Sequence, residues 1–226
     1  MSLRPSPLTI RVLNANDKAG IRRVVEIHGA SFPGFFMTRL GPRFLFEYYR
    51  AVISFADGLC SVASEGDAPI AGFVAGFINP ERFYAFLRDR QLRLGIAMLP
   101  ALALRPGLIG GVLFNRGKAA GVTSGVAAGA QAGEAELSSI GVLPLAAGKG
   151  VGAALVDHFC QAMQARGAYH VVLTTDTREN DRVIGFYHRL RFLDEGRLPA
   201  SEGRTMIRFV RRLEGSGPLD NTAARS

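Results

Sequence analysis

The stretch VLPLAAGKGVGAAL, residues 142–155, constrains this chain more than any other. An apolar run ends at Val142, a helical stripe of Val151, Leu155, Phe159 and Met163 follows, and three glycines and a lysine crowd the junction. Glycines at the mouth of a helix let backbone N–H groups approach an anion, and the helix dipole strengthens the attraction. The fold must therefore set a strand, a tight turn and a helix start around something negatively charged. A formal net charge of +8 agrees with a nucleotide cofactor, nucleic acid or acidic lipid headgroup, and does not choose among them.

Around that junction the chain reads as short elements. LTIRVL (8–13) alternates as a strand, and Ile21, Val24, Val25 and His28 form a helical stripe with Asn14 or Asn16 as its cap. SFPGFFMTRLGP (31–42) breaks that helix. Leu45, Tyr48, Tyr49 and Val52 mark a second helix, and LCSVAS (59–64) and PIAGFVAGF (69–77) read as strands about the turn EGDA. Downstream, ELSSIGV (136–142) is strand-like, the helix from Val151 ends at Arg166 and Gly167, and YHVVLTT (169–175) is a β-branched strand. Val183, Ile184, Tyr187 and Leu190 share one side of a short helix before the closing strands FLDEGRL (192–198) and RTMIRFVRRL (204–213). This predicts one mixed α/β domain over residues 1–212 and a frayed, disordered tail over 213–226. Residues 79–133 are an insertion, a helical run interrupted by Pro100 and Pro106 and then a flexible Gly/Ala/Ser-rich connection.

Two cofactor readings compete for the glycines. Gly148, Gly150 and Ala153 satisfy G-x-G-x-x-G/A, with Asp176 closing the next strand where a ribose-binding acid would lie, so an NAD(P)-dependent oxidoreductase is one reading. Against it, LPLAA separates Val142 from Gly148, and two successive strands end the chain where a dinucleotide fold would alternate strands with helices. A non-catalytic basic binding module is a further reading. Aromatics interleaved with basic residues are sparse outside the core elements, so nucleic acid is not an expected partner.

Val142-Leu143-Pro144, then Ala147-Gly148-Lys149-Gly150-Val151-Gly152, resembles the acetyl-CoA motif of the GNAT acetyltransferase superfamily, a strand, V-x-P, then Q/R-x-x-G-x-G/A opening a helix. TTDTRENDRVIGFYHRLRF (174–192) resembles its second signature, with Asn180, Phe186, Tyr187 and Phe192 matching. The resemblance is specific from about residue 134 to 192 and implies a largely antiparallel central sheet with helices on both faces and the insertion between strands 3 and 4. It implies acetyl-CoA as cofactor, a small-molecule amine as acceptor, and cofactor contacts at Ile140, Gly141, Val142, Ala147, Gly148, Lys149, Gly150, Val151, Gly152, Ala153 and Asn180. Ala147 departs from the Gln/Arg slot, leaving Lys149 as a point charge in place of that contact; Val183 stands for Ala, and Arg191 stands for Gly near the end of the helix, where an altered exit is expected because a left-handed position suits Gly better than Arg.

Amine acetylation requires a deprotonated amine, because an ammonium with pKa near ~10 is not nucleophilic. The resemblance makes Glu136 the general base, with Glu134 as the spare, and Tyr187 the general acid for the departing thiolate. By alternation Glu136, Ser138, Ile140 and Val142 share one strand face. The connection between the first two helices is an acceptor wall in this family, which points to Phe32, Phe35, Phe36 and Arg39, and an amino sugar is one amine that fits. His28 reads as packing, and no histidine or cysteine spacing suggests a metal. Arg82, Arg88, Arg90 and Arg93 precede LGIAMLPALAL, so the segment 82–104 suits a membrane surface, a cover for the core or a homodimer contact. Two cysteines and an N-terminus without an apolar leader run predict a cytoplasmic protein.

Overall fold

The computed structural model describes residues 7–105, 107, 133–178, 180–199 and 205–213. Most of the Gly/Ala/Ser-rich connection, Pro106 and the tail beyond 213 lie outside the described residues. Seven strands form one sheet: β1 (Leu8–Val12), β2 (Gly58–Glu65), β3 (Gly72–Ile78), β4 (Glu134–Val142), β5 (His170–Asp176), β6 (Leu193–Pro199) and β7 (Thr205–Arg212). Their order is β1-β2-β3-β4-β5-β7-β6, and β4–β5 is the one parallel pair among the described residues. This is the mixed, largely antiparallel sheet expected. It is not the doubly wound parallel sheet on which a dinucleotide crevice depends, so the oxidoreductase reading of Gly148–Ala153 falls.

The helices are α1 (Lys18–Ser31), the single turn α2 (Phe36–Arg39), α3 (Pro42–Ser54), α4 (Pro80–Arg88), α5 (Gln91–Leu104), α6 (Val151–Gln164) and α7 (Asp181–Arg189). One sheet face buries Leu59, Val74, Leu137, Leu173 and Phe209 under Leu155, Phe159 and Met163 of α6 and Tyr187 of α7. The other buries Val62, Phe73 and Phe77 under α1, α3 and Phe83 of α4. Each such large side chain contributes about 1.5–3 kcal/mol by leaving water. The sheet is therefore a rigid partition whose strand ends are held from both sides.

Two local expectations change. Asp17, and not Asn14 or Asn16, caps α1, its Oδ1 accepting from Gly20 N–H at 2.8 Å, while Asn14 Oδ1 accepts from Asn16 N–H in a turn of its own. SFPGFFMTRLGP breaks the helix as expected, α1 ending at Ser31, and gains the single turn α2 within it. Pro100 does not interrupt its helix: α5 runs through it, and because Pro100 is on the exposed side water can satisfy the carbonyl that loses a bond. No helix among the described residues is long and apolar enough to cross a membrane.

The exit of α7 is not altered by Arg191, which takes the left-handed position itself. Arg191 sits at φ 62°, Phe192 N–H donates to Tyr187 O at 3.1 Å and Arg191 N–H to His188 O at 3.0 Å, a paired C-terminal motif that glycine normally completes. Arg191→Gly should stabilise the chain by about 1 kcal/mol, raising Tm by roughly 2–4 °C. Thermal melts of the two proteins check this, and an unchanged or lower Tm refutes it.

Candidate active site

The pairing of β4 with β5 covers Glu134↔His170, Ala135↔Val171 and Glu136↔Val172 and then stops, although β4 runs on to Val142 and β5 to Asp176. Beyond Glu136 the strands part. Leu143 N–H donates to Ala71 O on the β3 side, so by ladder alternation the backbone groups of Ile140 and Val142 turn the other way, into the gap. A strand edge with unpaired donors and acceptors is a template for an extended partner.

The glycine loop, residues 143–150, lies at the end of this gap. Gly148 and Gly150 have φ of 80° and 82°, left-handed values that strain most side chains and Asn and Asp least, and Gly150 is the N-cap of α6 without a side-chain cap. Ala154 N–H is the first to reach back into the helix, to Gly150 O at 3.0 Å, which leaves the N–H groups of Val151, Gly152 and Ala153 without an intrahelical acceptor. A Cβ at Gly152 would lie 3.4 Å from Phe186 Cζ and 3.8 Å from Val142 Cγ2, so the first turn of α6, α7 and the end of β4 converge here. Lys149 Nζ stands 3.5 Å from Glu65 Oε2, an exposed pair of little strength. Ala147 ends the short turn Pro144–Ala146 and is exposed.

A bulge governs which side chains face the site. The β3–β4 register slips between Ala75 and Gly76, which pair with Ser139 and Leu137, so Ser138 is the extra residue. The shared face expected for Glu136, Ser138, Ile140 and Val142 is therefore wrong: Ile140 and Val142 pack on the α6 side, whereas Glu136 is opposite Phe77 on the α1/α3 side. Both serines turn to that second side. Ser138 Oγ bonds Tyr48 Oη, and Ser139 engages Tyr49, whose hydroxyl is 2.6 Å from His28 Nδ1.

Glu136 anchors the row. Its Oε1 accepts from Tyr84 Oη of α4 at 2.9 Å, and its Oε2 is buried with no partner among the described residues. Burial pushes the carboxyl up to about 7, against the opposing hydrogen bond from Tyr84. Glu134 is instead committed to Arg208, whose Nη2 is 2.8 Å from Oε2. Burial also lowers His28 to about 4, so its imidazole is neutral, and its Nε2 and the nearby Ser31 Oγ are further buried atoms without a partner among the described residues.

The remaining sequence candidates fall around this frame. Tyr187 is buried on the α6/α7 side against Phe192 and Phe209, the sheet face opposite Glu136, and burial raises its phenol, which stays protonated. Asn180 Nδ2 donates to Thr175 Oγ1 and Asp176 O, both at 2.8 Å, tying the start of α7 to the end of β5. A Cβ at Gly141 would meet Ser31 Oγ at 2.8 Å, so α1 ends against β4 and the loop 32–35 leaves from that point. There Phe32 and Phe35 meet edge to face at 5.6 Å with Phe35 exposed, and Phe36 and Arg39 are half-buried in α2. Tyr48, Tyr49 and Tyr84 were hidden in apolar helix stripes, and their hydroxyl partners become visible only once the bulge is known.

The chain was compared with known proteins. The sequence profile of the acetyltransferase (GNAT) family matches residues 21–192, while no curated protein matches. Solved structures with the same fold include NAA60 of Arabidopsis thaliana in complex with a bisubstrate analogue, at TM-score 0.58 and 16% identity over 93% of this chain and all (100%) of the other. Aminoglycoside 6'-acetyltransferase type Ii aligns at TM-score 0.57 and 14% identity over 90% of this chain and 96% of its own. A mutant form of the spermidine/spermine N-acetyltransferase SpeG of Vibrio cholerae aligns at 0.54 and 15% over 91% and 95%. The parted strands, the glycine-opened helix and the profile spanning both agree, and the chain belongs to the GNAT acetyltransferase family.

Proposed function

We propose that this protein transfers an acetyl group from acetyl-CoA to a primary amine by direct attack of the amine. The observation that carries the reading is the meeting, along β4, of an open strand edge, a helix start with free N–H groups and a buried proton acceptor. Acetyl-CoA, when bound, supplies the acyl group in activated form as a thioester. The N–H groups of Val151, Gly152 and Ala153, with Ala147–Gly150 before them and the α6 dipole behind, fit a pyrophosphate. The edge at Ile140, Gly141 and Val142 fits an extended, amide-bearing chain. Asn180 acts beside them by holding α7 against β5.

Glu136 is the proton acceptor in this reading. Its unpartnered Oε2 is the atom that receives the ammonium proton, and a carboxyl poised at about 7 is far more basic than an exposed one. Tyr187, which holds its proton on the sheet face opposite Glu136, is in this reading the donor to the leaving thiolate. Phe32, Phe35, Phe36 and Arg39 wall the acceptor side, which suits an amino sugar or another small amine.

Isothermal titration with acetyl-CoA, NADH and NADPH tests the cofactor, repeated on Gly150→Asp, which keeps a residue tolerant of the left-handed conformation while placing a carboxylate where the pyrophosphate would sit. Micromolar acetyl-CoA binding, weakened at least about a hundredfold in the variant, is expected. Binding to a dinucleotide alone, or to none of the three, overturns the proposal.

A further inference from the structure

Helix α5 buries one side against α3 and leaves the other uncovered among the described residues. Leu92, Ile96, Leu99 and Leu104 are 80%, 67%, 58% and 83% exposed, and the first three recur at helical spacing as a stripe. Scattered exposed leucines need no explanation, but a contiguous aliphatic stripe on one helix does. Its charges are all of one sign: Arg93 and Arg105, both exposed, flank the stripe, and the helix holds no acidic residue.

A second observation lies at the start of the same helix. Arg50, Arg90 and Arg93 line a cleft of about 280 Å³ between α3 and α5, together with Asn16, Glu47 and Ser54. Glu47 answers Arg50 at 2.8 Å, and Arg90 stacks over Phe86 at 3.4 Å, which fixes its guanidinium. Three arginines against one glutamate leave the cleft cationic. Arg93 belongs to both the cleft and the exposed side, joining the two features.

We infer that α5 docks this protein on an anionic membrane surface, the stripe entering the headgroup boundary and the arginine cleft receiving lipid phosphate. α5 is apolar around most of its circumference, with Arg93 near its start and Arg105 just past its end, and at 14 residues it is too short to span a bilayer, so entry of the stripe to headgroup depth beside those arginines is the contact open to it. A second copy is a poorer occupant, because a pair of α5 faces would bring cationic surfaces together. An acidic protein partner would answer the charge but gains less from a stripe with no hydrogen-bonding group.

Sedimentation of the full chain with vesicles of phosphatidylcholine alone, or mixed equally with phosphatidylglycerol, tests the inference. Binding is expected only to the anionic vesicles and should weaken as salt rises. Arg93→Glu should reduce it roughly thirtyfold, from two units of charge at the surface. The double variant Leu92→Gln, Ile96→Gln should reduce it at least about tenfold. All these positions are exposed, and thermal melts confirm that the variants fold. No binding to anionic vesicles, equal binding by the variants, or a wild-type dimer that the double variant dissolves each overturns it. None of these outcomes depends on acetyl-CoA, so failure here leaves the acetyltransferase proposal to its own titration.

Discussion

Glu136→Gln is expected to lower kcat/KM at pH 8 by about 10²–10³-fold, with acetyl-CoA affinity unchanged. The side chain keeps its size and can still accept from Tyr84 through Oε1, so the loss isolates proton transfer. Wild-type activity should rise with pH through about 7, because only the ionised carboxyl accepts a proton. Tyr84→Phe removes the hydrogen bond that holds this value down, and should move the acidic limb upward. A Glu136→Gln enzyme with wild-type turnover on an identified amine, or a limb that ignores Tyr84→Phe, removes Glu136 from the role.

The same group predicts an unusual stability profile. Its folded value, about 7, lies above the ordinary 4.5, so the native state keeps a proton that the unfolded chain releases. Its contribution is therefore full below 4.5 and is lost as pH rises through 7, by at most about 3 kcal/mol. His28 has the opposite sign: its folded value of about 4 lies below 6.5, so stability rises as pH climbs between them. In the wild type the two slopes oppose each other from about 4.5 to 6.5. Glu136→Gln should uncover the rising His28 slope, visible by urea titration at several pH values, and parallel profiles for the two proteins would contradict the assignment.

The sequence made the frame legible because local chemistry agreed with it. The loop glycines at positive φ and every strand of the sheet are marked by residues whose reasons are local, whereas Arg191 hid the ordinary exit of α7. The bulge was written there too. Ala135 and Leu137 set one apolar phase in β4 and Ile140 and Val142 the other, which a continuous strand cannot satisfy unless one residue is inserted between them. Reading the phase from Glu136 forward concealed that shift and put Glu136 on the wrong face. Tyr84 was not legible in that way, because its use depends on α4 folding back over β4 across 52 positions. The Asp17 cap lost to Asn14 and Asn16 in the sequence reading because all three suit the position, and Arg11, at 2.7 Å from Asp17, decides among them from another element.

Gly76→Ala is expected to be among the most damaging single substitutions in this chain. A Cβ at Gly76 would stand 2.1 Å from the carbonyl oxygen of Glu136 and 2.6 Å from Phe159 Cζ, the first a backbone atom that cannot swing aside. Gly76 is where the register slips, so the missing side chain is what lets the bulged strand approach and present Glu136 to Tyr84. Relief requires moving β4 or displacing a fully buried phenylalanine, at about 3 kcal/mol or more, a Tm loss on the order of 10 °C. Gly29→Ala is the control: Gly29 lies inside α1 with nothing within 4 Å of an added Cβ, so the substitution should stabilise by about 0.5–1 kcal/mol. At temperatures where Gly76→Ala is still folded, the acidic limb of its activity should also move, because the Glu136 backbone has moved. A mild Gly76→Ala effect on both readouts would mean that the bulge does not position the carboxylate, and that the strand rather than the glycine opposite it sets the site.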